Sequence, residues 1–431
     1  MLASGVGLYA TNEFLTISLL PSAVADIGGQ RFYAWVTTVY LVGSVVAATL
    51  VNPLLVRCGP RLSYLLTLFV FAAGTVGCAL SPGMGVLLVA RTVQGAAGGL
   101  LAGLGYGVIN ASLPELLWTR AAALVSAMWG VSTLLGPATG GLFAQFGIWR
   151  WAFGSLAVLT ASTAVLVPFA LPHGRPSRSA VATSRIPVWS LVLLGAAALA
   201  VSVAGVQRAA PAMAGLLVAG AGLVGCFLVI DRRMRAAVLP RAAFGPGPLK
   251  WMYVMVGLLM AATMVDMYVP LFGQRLAHLM PLAAGFLGAV LAVGWTLAEL
   301  LSASVGRQRV VVRLVTVAPL VMAGGLALAA VTYRNWVVAL FIVGAGVGIA
   351  WPHLSAWIMG AVDDPVEAGA AAAAINTVQL ISGAFGAGLA GIVVNIARGG
   401  DVATARWLFA VFAVLAVLAS VSALALRRQS R

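Results

Sequence analysis

A bundle of membrane-spanning α-helices is the fold class this sequence predicts, and three observations carry the prediction. Charged residues make up only 8% of the 431 residues, against about 25% in a soluble domain. Apolar residues make up 62%. They gather into runs of roughly 18 to 28 residues, enough for a helix to cross about 30 Å of hydrocarbon. No ten-residue segments alternate apolar with polar residues, so the pattern of a β-barrel is missing.

Taken in order, the runs predict spans at 2–25, 34–55, 62–81, 84–111, 119–146, 151–171, 189–206, 211–230, 250–272, 281–304, 311–332, 335–361, 366–397 and 404–426. The count is fourteen, so both termini lie on one side. With the ends inside, seventeen basic residues fall on the inner side and seven on the outer. The positive-inside rule then puts both termini in the cytoplasm. The first run has no basic flank ahead of it and holds Glu13, so it reads as a transmembrane helix rather than a cleaved signal.

Two polar, basic, proline-containing stretches, 171–187 and 231–250, read as linkers. They divide the chain into a six-helix bundle over 1–171, linkers with two extra helices over 172–249, and a second six-helix bundle over 250–431. Repeated blocks of this kind are typical of secondary transporters, whose site lies near mid-membrane.

Several chemistries are excluded. The net charge of +15 comes from arginines between apolar runs, with Lys250 the one lysine; it serves orientation and lipid headgroups, and no nucleic-acid partner is expected. Cys58, Cys78 and Cys226 lie far apart and suit neither a disulfide framework nor a metal site. A GxxxxGK[ST] phosphate loop is missing. The two GxGxxG matches, at 220–225 and 386–391, lie inside apolar runs and read as helix-packing glycines. No metal, bound cofactor or catalytic residue is expected.

The informative residues are polar ones inside the spans. A charge at mid-membrane costs at least about 2.5 kcal/mol, so Glu13 needs a reason. Burial favours its neutral form and a neighbouring cation favours the carboxylate. An acid under both influences can take up a proton on one side and release it on the other. Arg91 reaches a similar depth; the competing reading is a static buried ion pair with Glu13. Asp266 lies in the span that opens the second bundle, with Pro270 four residues later weakening the helix. It reads as a second proton or cationic-substrate site in the counterpart of the first span, the competing reading being a polar residue near the outer mouth. Glu299 falls near the inner end of its span, where it is a gate or interface candidate. His353, beside Pro352, titrates in a useful range.

Asn12, Gln94, Asn110, Asn376 and Gln379 are candidates for lining a cavity or for hydrogen bonding between helices. Asn376 and Gln379 share one helix face. Trp129, with Trp35, Tyr40, Trp351 and Trp357, either lines an apolar pocket or anchors a helix at the interface. In the fifth span, "WGVSTLLGPATGG" contains Gly130, Ser132, Gly136, Pro137, Gly140 and Gly141. Ser132, Gly136 and Gly140 are four apart and form a small-residue face for a close helix approach. Pro137 bends that helix.

The GPxxGG ending resembles the antiporter motif of the major facilitator superfamily, found in its drug:proton antiporters. Arg91, Gln94 and Gly95 match the RxxQG motif of that family's fourth span. "NEFLTISLLP" (12–21) resembles the first-span motif of its fourteen-span branch, and "RFYAWVTTVYLVGS" (31–44) the aromatic opening of the second span. Arg57, Gly59 and Arg61 keep part of the loop motif GxLxDRxGRR. Val56 replaces its aspartate and Pro60 one arginine, which weakens a latch between the halves. The first-span acid of that branch lies nine residues before the proline. Here that position is Asn12, and Glu13 is displaced by one residue, about 100° of helix rotation.

The resemblance implies the major facilitator fold, two pseudo-symmetric six-helix bundles plus two extra transmembrane helices. It implies a proton-coupled antiporter that exports small amphiphilic or hydrophobic compounds, multidrug in scope, by alternating access. Glu13, Arg91 and Asp266 would couple protons, and the antiporter motif would form a helix seam that resists proton leak. The proton gradient would be the energy source, and the protein a monomer in the lipid bilayer of a bacterial inner membrane. A dedicated exporter of a metabolite, siderophore or lipid is the alternative. A membrane sensor or enzyme is remote, because no polar catalytic cluster lies at a membrane face.

Overall fold

The computed structural model describes residues 2–112, 118–171, 187–207, 209–234, 237–332, 334–361 and 365–429. Every regular element among them is helical. In hydrocarbon a backbone must satisfy its own hydrogen bonds, and a helix does so within one segment. The hydroxyls follow the same rule. Thr16, Thr38, Thr75 and Thr160 each donate to the carbonyl four residues back, at 2.7 to 3.2 Å.

The chain divides into two compact units, residues 1–188 with 280–286, and 189–279 with 287–431. The first contains α1 (Leu2–Ile27), α2 (Tyr33–Ala48), α3 (Val51–Ala79), α4 (Met84–Ser112), α5 (Trp118–Gln145) and α6 (Arg150–Ala170). Small residues let these rods close up. Gly95 and Gly99 on α4 lie against the Tyr40 and Ser44 backbone of α2, Gly74 on α3 against Gln94, and Gly136 and Gly140 on α5 against Phe14 and Leu15. A core of Leu8, Tyr64, Leu68, Phe71, Leu101 and Leu156 fills the space among α1, α3, α4 and α6.

The loop motif is not a loop. Residues 51–58 are already helical, and the break falls at Gly59, whose φ of 74° and ψ of 167° are non-helical. A residue with a side chain is strained there. Pro60 follows, where its fixed φ suits the start of the next helical segment. Ser63 Oγ spans the corner, donating to the carbonyls of Gly59 (2.6 Å) and Leu54 (3.0 Å).

The second unit contains α7 (Val188–Val206), α8 (Ala210–Arg233), α9 (Leu249–Thr263), α10 (Val269–Leu276), α11 (Pro281–Ala303) from Leu287 onward, α12 (Gln308–Val331), α13 (Trp336–Gly360), α14 (Pro365–Ile396) and α15 (Gly400–Gln429). α9 and α10 are one rod interrupted by a 3-10 turn, Met264–Tyr268. The two extra helices group with this unit. Gly388 on α14 abuts Ser202 of α7, and Asn395 Nδ2 donates to the Gly205 carbonyl at 3.2 Å.

Among the described residues, twelve helical segments are long and apolar enough to cross a membrane. α1 and α5 lie outside that set. The middle of α1 holds Thr11, Asn12, Glu13, Thr16 and Ser18, which lowers its hydropathy. The expected count of fourteen therefore depends on α1 and α5, which carry the first-span and antiporter motifs.

Candidate functional site

Arg91 organises the first unit. Its side chain is 2% exposed, among the largest fully enclosed side chains in the protein. Burying a guanidinium is costly unless every donor direction finds an acceptor. Nε donates to the Val36 carbonyl at 3.3 Å; Nη1 donates to Asn12 Oδ1 at 3.2 Å and to Gln94 Oε1 at 2.6 Å. The Tyr40 ring covers the guanidinium face at 4.1 Å. The chain continues with a fixed direction. Gln94 Nε2 donates to Thr75 Oγ1 at 2.8 Å, and Thr75 passes its proton to the Phe71 carbonyl at 2.7 Å.

This overturns the buried Glu13–Arg91 ion pair. The residue in contact with Arg91 is Asn12, one position earlier, and Glu13 makes no hydrogen bond or ion pair to a described residue. Glu13 is half-buried and near enough to Arg91, Tyr9 and Tyr40 to act on them through its charge. It lies one helical turn after Tyr9, which stacks on Tyr40 (5.7 Å) and takes the edge of Trp129 (5.9 Å). Glu13 and Trp129 are thus the partly exposed members of a cluster whose other rings are buried.

The antiporter-motif residues lie on α5. Thr11 Oγ1 donates to Ser132 Oγ at 3.0 Å, and Ser132 donates onward to the Gly7 carbonyl at 3.1 Å. Gly136 and Gly140 take the α1 backbone at Phe14 and Leu15. Pro137 and Gly141 are buried, whereas Gly130 faces open space. Five of these six residues are enclosed, and Ser132, Gly136 and Gly140 hold the α1 segment that displays Asn12 and Glu13.

In the second unit the predicted residues do not form one cluster. Asp266 sits in the 3-10 turn between α9 and α10, where the Val269 N–H bonds to its carbonyl. Pro270, which has no N–H, cannot supply the α-helical bond to that carbonyl, so the turn tightens here. Asp266 Oδ1 lies beside Gly288 of α11, 3.4 Å from where a β-carbon would be. His353 is engaged elsewhere. Its Nε2 lies 2.9 Å from Ser302 Oγ, and Ser302 gives its proton to the Ile349 carbonyl at 2.7 Å. The ring nitrogen is therefore the donor in that pair. Glu299 accepts from Trp295 Nε1 at 2.9 Å, under the edge of Trp351. Asn376 is exposed and Gln379 half-buried on α14, neither bonded to His353. The side chain of Asn110 lies outside the described residues.

Sequence reading missed Thr75 and Asp231. Thr75 carried no signal. Asp231 is 1% exposed and accepts from Ser190 Oγ (2.7 Å), Val238 N (2.8 Å) and Leu239 N (2.9 Å). Its place at the head of "DRRMR" made it look like solvated linker.

Comparison with known proteins bears on these arrangements. The profile described as the Major Facilitator Superfamily matches residues 2–387. The chain belongs to that superfamily. A "probable multidrug-efflux transporter" of Mycobacterium tuberculosis is 61% identical over 425 residues, covering 96% of this chain and 90% of that protein. The multidrug transporter protein MdtP of Bacillus subtilis is 22% identical, covering 89% of this chain and 72% of its own. Among solved structures, the inward-open xylose transporter XylE from E. coli matches with a TM-score of 0.65 at 15% identity, over 98% of this chain and 94% of that one. A D-xylose-proton symporter matches at 0.68 and 14%, over 97% and 95%. These likenesses show the major facilitator fold. Within it, the Arg91–Gln94 pair is a built hydrogen-bond node, and the antiporter-motif glycines are a helix contact.

Proposed function

We propose that this major facilitator protein is an efflux transporter for small amphiphilic or hydrophobic compounds, multidrug in scope, exchanging them for protons. The observation that carries the reading is the 61% identity, over 96% of the chain, to a protein named a probable multidrug-efflux transporter. An enzyme reading finds no support in the family or the fold.

Proton coupling is assigned to Glu13, with Asp266 as the counterpart acid in the second unit. Nε and Nη1 of Arg91 are taken up by Val36, Asn12 and Gln94. Glu13 has no hydrogen-bond partner among the described residues, which leaves its carboxyl available to exchange protons. Alternating access would change which side of the membrane the Glu13 carboxyl exchanges protons with. Trp129, half-buried and packed on the buried Tyr9–Tyr40 stack, offers an aromatic face beside it for an apolar or aromatic substrate. One charge moved across 100 mV is worth roughly 2.3 kcal/mol, which drives about fiftyfold accumulation in one-to-one exchange.

The proposal extends to the fourteen-span branch, with α1 and α5 as spans, two six-helix bundles joined through the extra pair α7 and α8, and both termini cytoplasmic. It places a monomer in a bacterial inner membrane, with the proton gradient as its energy source and no bound cofactor. The test is substrate-induced proton release from inverted vesicles. Release in the parent and none in Glu13→Gln is expected; equal release in both removes Glu13 from the coupling.

A further inference from the structure

The second unit contains an apolar cavity of about 400 Å³, within the range of ligand pockets. Phe227 of α8, Leu194 of α7, Val254 of α9, Ile381 of α14 and Leu415 of α15 are among its walls. Val254 is 45% exposed, so the cavity opens on the outer, apolar surface of the rods. One end is closed by Val238 and Leu239 of the linker. Their backbone N–H groups are the ones that Asp231 holds, so a buried carboxylate shapes this end of the cavity.

The same end carries cations. Lys250 stands three and four residues before Tyr253 and Val254, on the helix face that lines the cavity. Arg241 is exposed two residues beyond Leu239, and Arg232 and Arg233 are exposed at the end of α8. Asp231 directs both its oxygens inward to Ser190, Val238 and Leu239, so it is not offered to these cations.

We propose that this cavity holds an acyl chain of an anionic phospholipid, with the phosphate on Lys250 and Arg241. An apolar slot that opens toward lipid, with a cationic mouth at headgroup depth, matches a phospholipid in both chemistry and direction. A lipophilic cation would be repelled at that mouth, and a zwitterionic lipid would gain less from it. The extra pair α7 and α8 thereby acquires a role: it forms a wall of a lipid site in the second unit.

The test is native mass spectrometry of the delipidated full chain, titrated with phosphatidylglycerol or phosphatidylcholine. Phosphatidylglycerol should bind more tightly. The Lys250→Gln/Arg241→Gln variant should lose about fivefold in its affinity for each charge removed, with phosphatidylcholine unchanged. Val254→Trp, at an exposed wall position that tolerates bulk, should block both lipids. Equal affinity for the two lipids, undiminished binding to Val254→Trp, or a second protein copy in place of lipid would overturn the proposal.

Discussion

Asn12 Oδ1 accepts from the Arg91 guanidinium at 3.2 Å, while Glu13, the next residue, accepts from no described residue. The side chain that anchors the arginine and the one that can change protonation are therefore different residues on adjacent positions of α1. The separation has energetic consequences. Truncating Arg91 to Ala leaves Asn12 Oδ1 buried without its donor and Gln94 Oε1 with only the weak Cys78 thiol at 3.7 Å, while the Val36 carbonyl keeps its helical bond within α2. At about 1–3 kcal/mol for each group left short of a donor, Arg91→Ala should lose about 2 kcal/mol or more. Thermal unfolding in detergent will register this as a large drop in apparent Tm.

Glu13→Gln should behave in the opposite way. The substitution keeps the shape, and no hydrogen bond is lost, so the apparent stability should stay within about 0.5 kcal/mol of the parent. Active efflux of a fluorescent dye should nevertheless vanish. A fall in Tm matching that of Arg91→Ala would make Glu13 a structural residue.

The antiporter motif contains its own control. A β-carbon at Gly140 would strike the Leu15 carbonyl, and one at Gly136 would meet Phe14 and the Leu15 N–H, whereas Gly130 has nothing within 4 Å. Gly140→Ala should cost about 1–3 kcal/mol through forced separation of α1 and α5. Gly130→Ala should be neutral or slightly stabilising, since alanine is the better helix former by about 1 kcal/mol. Parallel melting curves of the two variants check both halves.

Much of this was legible in the sequence because the membrane leaves few options. Apolar runs must be helices, and small residues four apart must face a neighbour, so the rods and the contact face of α5 could be read directly, though not that α1 is its partner. Arg91 and Gln94 were found because they are polar residues inside an apolar run and match the RxxQG motif. The partner of Arg91 was misread because charge pairing suggested Glu13. The helix phase decides instead, and a single residue turns the side chain by about 100°. The break at Gly59 looked like a loop because glycine and proline mark both loops and sharp helix corners. Asp231 was hidden because its partners are linker N–H groups, which no pattern encodes.

The tie between α1 and α6 gives a pH prediction. Asp26 Oδ2 accepts from Arg150 Nη1 and from Trp149 Nε1, and Arg150 also bonds the Ser81 carbonyl at 3.1 Å. The hydrogen bond from Arg150, followed by that from Trp149, holds the Asp26 carboxyl below its ordinary range. A depressed carboxylate contributes stability that is present above its unfolded pKa of about 3.9 and is lost as pH falls through the folded value. Asp26→Asn should therefore melt below the parent at pH 6, and the gap should close on acidification from about pH 4 downward. Both partners are about half exposed, so the gap should be small and shrink with added salt. A gap that changes between pH 6 and 8 would mean that another group carries the effect.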